Sequence, residues 1–335
     1  MRKQFAHKHP KLNLRTEKDL LRFLNASKEI KTKRGTLKRP VLFKDLTYLY
    51  EEPRLDWSDH PTESDSTKEK YVRSIKPGSI LNTANRRLNE ALRRTLDEQA
   101  SQIFYGSVSK KSHIQAAGSL CNGKNTTIVS LDITRFFESI SSDRVARFFC
   151  KAGCSPEIAK KLVAVTCVPV GPKEKPEEKY SLARGFPTSP RLALWSTFEI
   201  FVKLNRVLQK KFAHLSPKIV VFVDDIGISL KNATGEDIQA VKEIAFSVIE
   251  SDTKDLSLKV HKNPPKLKIQ HISENPEHLG LVIGKKNLSL GFKTRSKIGD
   301  VKVRLSDRTL SQEDRYKALQ NKRGLMNYKR SITRP

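Results

Sequence analysis

Short apolar runs that stop at acids are the plainest pattern in this chain. Ile219-Val220-Val221-Phe222-Val223 is β-branched and aromatic and reads as a buried strand, with Asp224-Asp225 at its end. Ile226-Gly227-Ile228-Ser229-Leu230 then alternates and reads as a second strand. Together they predict a hairpin carrying a pair of carboxylates at its turn. Ile128-Val129-Ser130-Leu131-Asp132-Ile133 is a third apolar strand that meets an acid, followed by Phe136-Phe137.

Helical spacing dominates elsewhere. Residues 1–50 read as basic and mostly helical, with a capping box at Thr16-Glu17-Lys18-Asp19 before Leu20, Leu21, Phe23 and Leu24. Residues 51–69 are polar and Pro-containing and predict a loop. Lys68 to Arg73 predicts a basic strand. Asn82 to Leu96 predicts a helix whose Arg86, Arg87, Arg93 and Arg94 form either a solvated basic face or a track for a phosphate backbone. Ser142 is the expected cap of a helix that buries Val145, Phe148 and Phe149. Ser155-Pro156-Glu157 opens another, with Pro at its first position. Gly171 to Tyr180 reads as a hairpin tip, and a long helix runs from Pro190 to about Phe212. Thr234 and Asp237 cap a helix with Ile238, Val241, Ala245 and Val248 on one face, and the tail from Arg295 is basic and helical. The pattern predicts an α+β protein, a small antiparallel sheet backed by helices.

Charge changes the picture. Lys and Arg number 64 against 36 Asp and Glu in 335 residues, a formal charge of +28. That excess calls for a polyanionic partner, nucleic acid first and a membrane surface second. No apolar run approaches the roughly 18 residues that span a bilayer. The first residues, Met1 to Lys8, lack the apolar core of a signal peptide, so a cytoplasmic protein is expected, with no membrane partner. Cys121, Cys150, Cys154 and Cys167 lack zinc spacing and read as reduced, packed thiols. There is no Gly-rich phosphate loop, and no Ser-His-Asp or Cys-His set stands out.

The acids then acquire a meaning. Adjacent carboxylates in low dielectric raise each other's pKa unless a cation neutralises them. A single strand-end Asp is as often a turn or cap residue. Three of them on two strands suit the two-metal design for in-line phosphoryl transfer, with ions about 4 Å apart. Oxygen ligands favour Mg²⁺, with Mn²⁺ the alternative ion.

Three motifs carry a family resemblance. Asp132-Ile133-Thr134-Arg135-Phe136-Phe137-Glu138-Ser139-Ile140, then Arg184-Gly185-Phe186-Pro187-Thr188-Ser189-Pro190-Arg191-Leu192-Ala193, then Phe222-Val223-Asp224-Asp225 resemble, in order and spacing, the catalytic motifs of bacterial reverse transcriptases of the retron and group II intron type. Softer matches extend over roughly 65–330. Lys70 to Pro77 resembles the fingers strand at the incoming triphosphate. Phe104-Tyr105-Gly106 and Lys111-Ser112 resemble the fingers near the template, although core packing is the simpler reading of Phe104 and Tyr105. Lys262-Asn263-Pro264-Pro265-Lys266 resembles the segment whose lysine serves pyrophosphate. His278 to Ile283 resembles the primer-grip hairpin, and Arg323 to Tyr328 a thumb helix.

The resemblance implies a right-hand polymerase with fingers, an antiparallel-sheet palm and a short helical thumb. Its expected segments are a basic extension and polar loop at 1–64, fingers at 65–125, palm at 126–275, and primer grip and thumb at 276–335. It implies that Asp132 and Asp224 bind both ions, with Asp225 assisting and the Ile133 carbonyl as a further oxygen. Lys70 and Arg73 would pair with triphosphate oxygens. Phe137 would lie under the sugar and favour dNTPs over NTPs, and Lys266 would protonate pyrophosphate. Arg184 stands before Gly185 where many relatives have Gln, beside the nascent base pair, and Leu194 stands where Asn is frequent.

Ala116-Ala117-Gly118-Ser119-Leu120 and His278-Leu279-Gly280 depart from two elements typical of retron enzymes. The departures favour a related defence-associated reverse transcriptase that copies a structured non-coding RNA, its template, into DNA, with the source of the primer left open and a companion polymerase or effector protein as a candidate partner. No maturase or endonuclease segment follows the thumb up to Pro335, which speaks against a mobile-intron enzyme. Two other functions stay open at this point: untemplated or protein-primed DNA synthesis, and a non-catalytic RNA-binding scaffold.

Overall fold

A computed structural model describes residues 10–32, 35–52, 55–251, 256–307 and 309–333. The basic start of the chain at 1–9, and Pro53 and Arg54 of the expected loop, lie outside the described residues.

Local chemistry sets most boundaries. Helix α1 (Glu17–Asn25) opens with the expected capping box: the Asp19 amide donates to Thr16 Oγ1 at 3.1 Å, and the Thr16 amide to Asp19 Oδ2 at 3.0 Å. The hairpin β1 (Ile30–Thr32) and β2 (Gly35–Leu37) follows, where helix was expected. After α2 (Phe43–Glu51), the expected loop contains a strand, β3 (Trp57–Asp59), which pairs with β4 (Arg73–Ile75). The basic strand therefore begins only at Arg73. Ser66–Lys68 is a 3₁₀ turn instead.

Helix α3 (Ile80–Leu96) is capped by Ser79. Next come α4 (His113–Ser119) and β5 (Thr126–Thr134). Helix α5 (Ser142–Lys151) is capped by Ser141, one residue earlier than expected, because the Ser141 hydroxyl is the one that receives the Arg144 amide, at 3.2 Å. Helix α6 (Pro156–Thr166) starts at the Ser155 cap. Strands β6 (Cys167–Pro169) and β7 (Tyr180–Leu182) pair as the expected hairpin. Helix α7 (Ser189–Lys211) leads to β8 (Lys218–Phe222) and β9 (Asp225–Lys231). Then follow α8 (Gly235–Ile249), β10 (Lys259–Val260), β11 (Lys268–His271), β12 (Glu277–His278), β13 (Leu281–Ile283), β14 (Leu288–Leu290), α9 (Phe292–Ser306) and α10 (Gln312–Thr333).

The chain divides into two compact units, 1–110 with 133–203 and 247–260, and 111–132 with 204–246 and 261–335. In the first unit, α5 packs on α6, and α1 and α6 pack on α3. Phe104 is 1% exposed and stacks on Phe198 at 5.2 Å between ring centroids, which makes it core. Arg87 corrects the reading of α3 as a basic face. Its guanidinium is buried and donates to the carbonyls of Ser27, Lys28, Lys38 and Arg39, so it fastens the segment around β1 and β2 to α3. Arg87→Lys gives up the planar fork that serves these carbonyls. It is expected to cost about 1–2 kcal/mol, read as a lowered midpoint in thermal unfolding. An unchanged midpoint would show that the fork does not hold this segment.

In the second unit an antiparallel sheet runs β11-β5-β9-β8. Its β5 and β8 are buried runs, as their continuous apolar character requires. Helix α4 packs against β8 and β13, and α9 against α10. His113 and Tyr328 fix α4 to α10 with a 2.8 Å hydrogen bond. Cys121, Cys150, Cys154 and Cys167 are unbridged thiols; Cys154 and Cys167 are packed as expected, burial pushing them to about 11 and about 12, whereas Cys150 is exposed and Cys121 only partly buried. Among the described residues no helix is long and apolar enough to cross a membrane.

Candidate active site

The expected hairpin of acids forms in the second unit. Strand β8 ends at Phe222, β9 begins at Asp225, and Val223-Asp224 make the turn. Val223 adopts φ +62°, a left-handed conformation that a β-branched residue reaches only under strain. Strand β5 pairs with β9 in the register Asp132↔Asp225, so acids 93 positions apart in sequence stand opposite each other. Buried β-branched runs specify that register, since a one-residue slip would turn each strand inside out.

Asp132 has two basic side chains beside it, one a lysine and one a histidine. Lys266 Nζ donates to its Oδ1 at 2.9 Å, and His261 Nε2 lies 3.4 Å from its Oδ2. The His261 amide also donates to the Asp132 carbonyl at 2.9 Å. The Lys266 ammonium is held above its ordinary pKa, first by the bond to Asp132 and then by the charges of Asp132, Asp225 and Asp224. The Asp225 carboxyl is pushed up to about 6. Burial contributes most, then the charges of Asp224 and Asp132, with Lys266 opposing.

The donor set is anionic and all oxygen, which suits a hard divalent ion, and the raised Asp225 marks negative charge that such an ion would balance. The described residues do not close a cage by themselves: no group of three or more His, Cys, Asp or Glu among them is placed to hold a metal.

His278, on β12, supports the sheet two residues before the acids. It is 4% exposed and its Nδ1 lies 3.2 Å from Ser130 Oγ. Ser130 is paired with Gly227, and side chains two apart share a face, so the ring lies on the face that carries Asp132 and Asp225. Gly227 makes room for it. A Cβ there would come within 2.9 Å of His278 Nε2 and 2.6 Å of Leu120. Burial lowers the His278 pKa to about 4, and its Nε2 has no hydrogen-bond partner among the described residues.

The remaining predicted residues lie in the first unit. Ile133 is buried and pairs with Val260 on β10. Lys70 is exposed and bridges Asp65 through its backbone just before β4. Arg73 is 4% exposed, and its guanidinium bonds Asp59 and the carbonyls of Pro169 and Gly171, over the rings of Trp57 and Tyr71. Burial lowers its pKa to about 10. Phe137 is half-buried beside Phe136. The Arg184 guanidinium lies over the Phe137 ring at 5.5 Å and is held by both oxygens of Glu138 at 2.8 and 3.0 Å. Gly185 has φ +102°, and a Cβ on it would sit 2.5 Å from the Arg73 carbonyl. Arg73, Gly185, Pro187, Asn82 and Arg86 line one cleft of about 540 Å³.

Sequence reasoning missed His261, Glu138 and Asp59 as partners of the predicted residues, and His278 as the support beside the acids' strands. Glu138 lay inside a quoted motif, next to Phe137. His278 also lay inside a quoted segment, the one that resembles the primer grip, whereas His261 and Asp59 had no local signal.

The family described as reverse transcriptase (RNA-dependent DNA polymerase) matches residues 65–283, about two thirds of the chain. This chain belongs to the reverse transcriptase family. No curated protein matches it. The reverse transcriptase is an RNA-directed DNA polymerase, a nucleotidyltransferase whose family implies a right-hand polymerase fold, an RNA template, a DNA product and dNTP substrates. Reverse transcriptases generally use divalent ions such as Mg²⁺. The mixed helices and antiparallel sheet agree with the expected α+β class.

Proposed function

We propose that this reverse transcriptase uses two Mg²⁺ ions at Asp132, Asp224 and Asp225 to copy a cognate structured RNA into DNA, in the service of antiphage defence. The observation that carries the site is the register that sets Asp132 opposite Asp225, next to a lysine. Asp132 and Asp224 hold the ions, Asp225 assists, and the Ile133 carbonyl is the next oxygen along the strand. Divalent ions held there would supply Lewis-acid chemistry for the attacking hydroxyl and for the leaving pyrophosphate. Lys266 supplies a proton at Nζ to that leaving group, an ammonium already kept charged by the carboxylates. Lys70 is exposed and available to triphosphate oxygens, whereas Arg73 reaches them only by exchanging its bonds to Asp59 and the two carbonyls. The cognate RNA and the defence role rest on the family resemblance and on the +28 charge.

Phe137 excludes the 2′-hydroxyl of ribonucleotides by steric contact. Phe137→Val is expected to lower discrimination between dNTP and NTP by about tenfold or more, measured as the ratio of kcat/KM values. Equal discrimination in the variant would remove Phe137 from this role. The reading as a whole is tested by purifying the protein from cells with its native flanking DNA and sequencing the nucleic acids that accompany it, with RNase- and DNase-treated samples in parallel. One defined RNA with complementary DNA is the expected result. DNA without a matching RNA would overturn templated synthesis.

A further inference from the structure

We propose that Glu138 and Arg184 act as a pair of positioning residues that clamp the Phe137 ring, and so set how strictly this enzyme separates deoxyribonucleotides from ribonucleotides. The inference rests on the reading of Phe137 as the ring that meets the incoming sugar.

Two contacts on the Phe137 ring build the clamp. Phe136, 1% exposed, meets the Phe137 ring edge-on at 5.6 Å between centroids. The guanidinium carbon of Arg184 stands over the ring at 5.5 Å. A cation over an aromatic face is attracted by the ring quadrupole, more strongly where water is partly excluded. Here the Arg184 and Glu138 side chains are 21% and 11% exposed.

The guanidinium is itself fixed. Glu138 takes Nε and Nη2 through two parallel bonds of 2.8 and 3.0 Å, a fork that sets the guanidinium plane as well as its position. The backbone beneath it is fixed too. The Arg184 carbonyl accepts the Arg73 amide at 2.7 Å. Gly185 then brings the chain so close to Arg73 that no side chain fits. The links from β4 to the Arg184 guanidinium are therefore short and directional, and the guanidinium then meets the Phe137 ring at 5.5 Å. A ring without this clamp can tilt, and a small tilt opens the space that a 2′-hydroxyl needs. A glutamine in place of Arg184 has no charge to place over the ring and no fork for Glu138.

The test uses the full chain on a poly(rA) template with an oligo(dT) primer, comparing kcat/KM for dTTP and UTP. The variants are Glu138→Gln, Arg184→Gln, their double, the milder Glu138→Asp, and Phe137→Val as the reference. Loss of the clamp is expected to lower the dTTP/UTP ratio about fivefold, chiefly through better use of UTP, in each single variant. The double variant is expected to go no further than either single one, because the two residues act as one unit. Glu138→Asp is expected to fall between. The shift in melting temperature caused by dTTP and by UTP gives the same comparison without template, and the melting temperature alone reports folding. A purely structural role would slow both nucleotides together and leave the ratio untouched. The clamp is overturned if Phe137→Val lowers the ratio while Glu138→Gln, Glu138→Asp and Arg184→Gln keep it. If Phe137→Val leaves the ratio unchanged, the reading of Phe137 fails, and the clamp with it.

Discussion

Replacing Asp224 and Asp225 together by alanine is expected to lower DNA synthesis by about a thousandfold or more, with RNA binding largely kept. The two acids sit at a hairpin turn and the first residue of β9, opposite Asp132. Their removal leaves the apolar registers of β5, β8 and β9 untouched. Binding of a polyanion draws on the excess of 64 basic over 36 acidic residues, and losing two acids only adds to that excess. Primer extension and filter binding on the same preparation separate the two activities. Synthesis that survives the double substitution would place the catalytic centre elsewhere. Loss of RNA binding together with synthesis would show that the change had reached the fold.

The second large effect concerns stability and pH in the absence of metal. The Asp225 carboxyl titrates at about 6 in the native protein against an ordinary value of 3.8. Between those values the native state holds a proton that the unfolded chain has released. The stability linked to this group is therefore full below pH 3.8 and is lost as pH rises through 6. Above that range the ionised, partly exposed carboxylate costs about 2 kcal/mol. Several other acids run the opposite way. Asp97 is held below its ordinary value although burial opposes this, by its bonds to Arg191 and Ser109, and Glu90 first by its bond to Arg93. The whole-protein profile mixes these effects, so the difference between wild type and Asp225→Asn is the informative quantity. With EDTA at pH 8, Asp225→Asn is expected to melt higher than wild type. The gap should close towards pH 4, and Mg²⁺ should narrow it at pH 8. A wild type as stable as the variant at pH 8 would mean that Asp225 carries no such penalty.

The acids were legible because each ends a run of β-branched residues, a signal that needs no knowledge of distant sequence. The caps at Thr16 and Ser155 were legible for the same local reason. Hairpin β1–β2 and strand β3 were not. Each strand has three residues, too few for an alternation to show, and their sequences are polar. Ser141 and Ser142 are chemically identical candidates, and only the geometry of the following amide separates them. Arg87 read as one arginine among four on a helix, because the carbonyls that hold it lie 48 to 60 residues away. Lys266 was placed by family pattern. Its bond to Asp132, 134 residues away, belongs to tertiary structure alone.

The ring of His278 has one more consequence. Because burial lowers its pKa to about 4, the imidazole is neutral at neutral and mildly alkaline pH. It rests on Ser130 and Gly227, one step along each strand from Asp132 and Asp225 on the same face. A change in its magnetic resonance signal at constant pH therefore reports movement of the strands and not a gained proton. The protein carries its own silent gauge beneath the carboxylates, able to register their response to ions or nucleotides without any label on the carboxylates themselves.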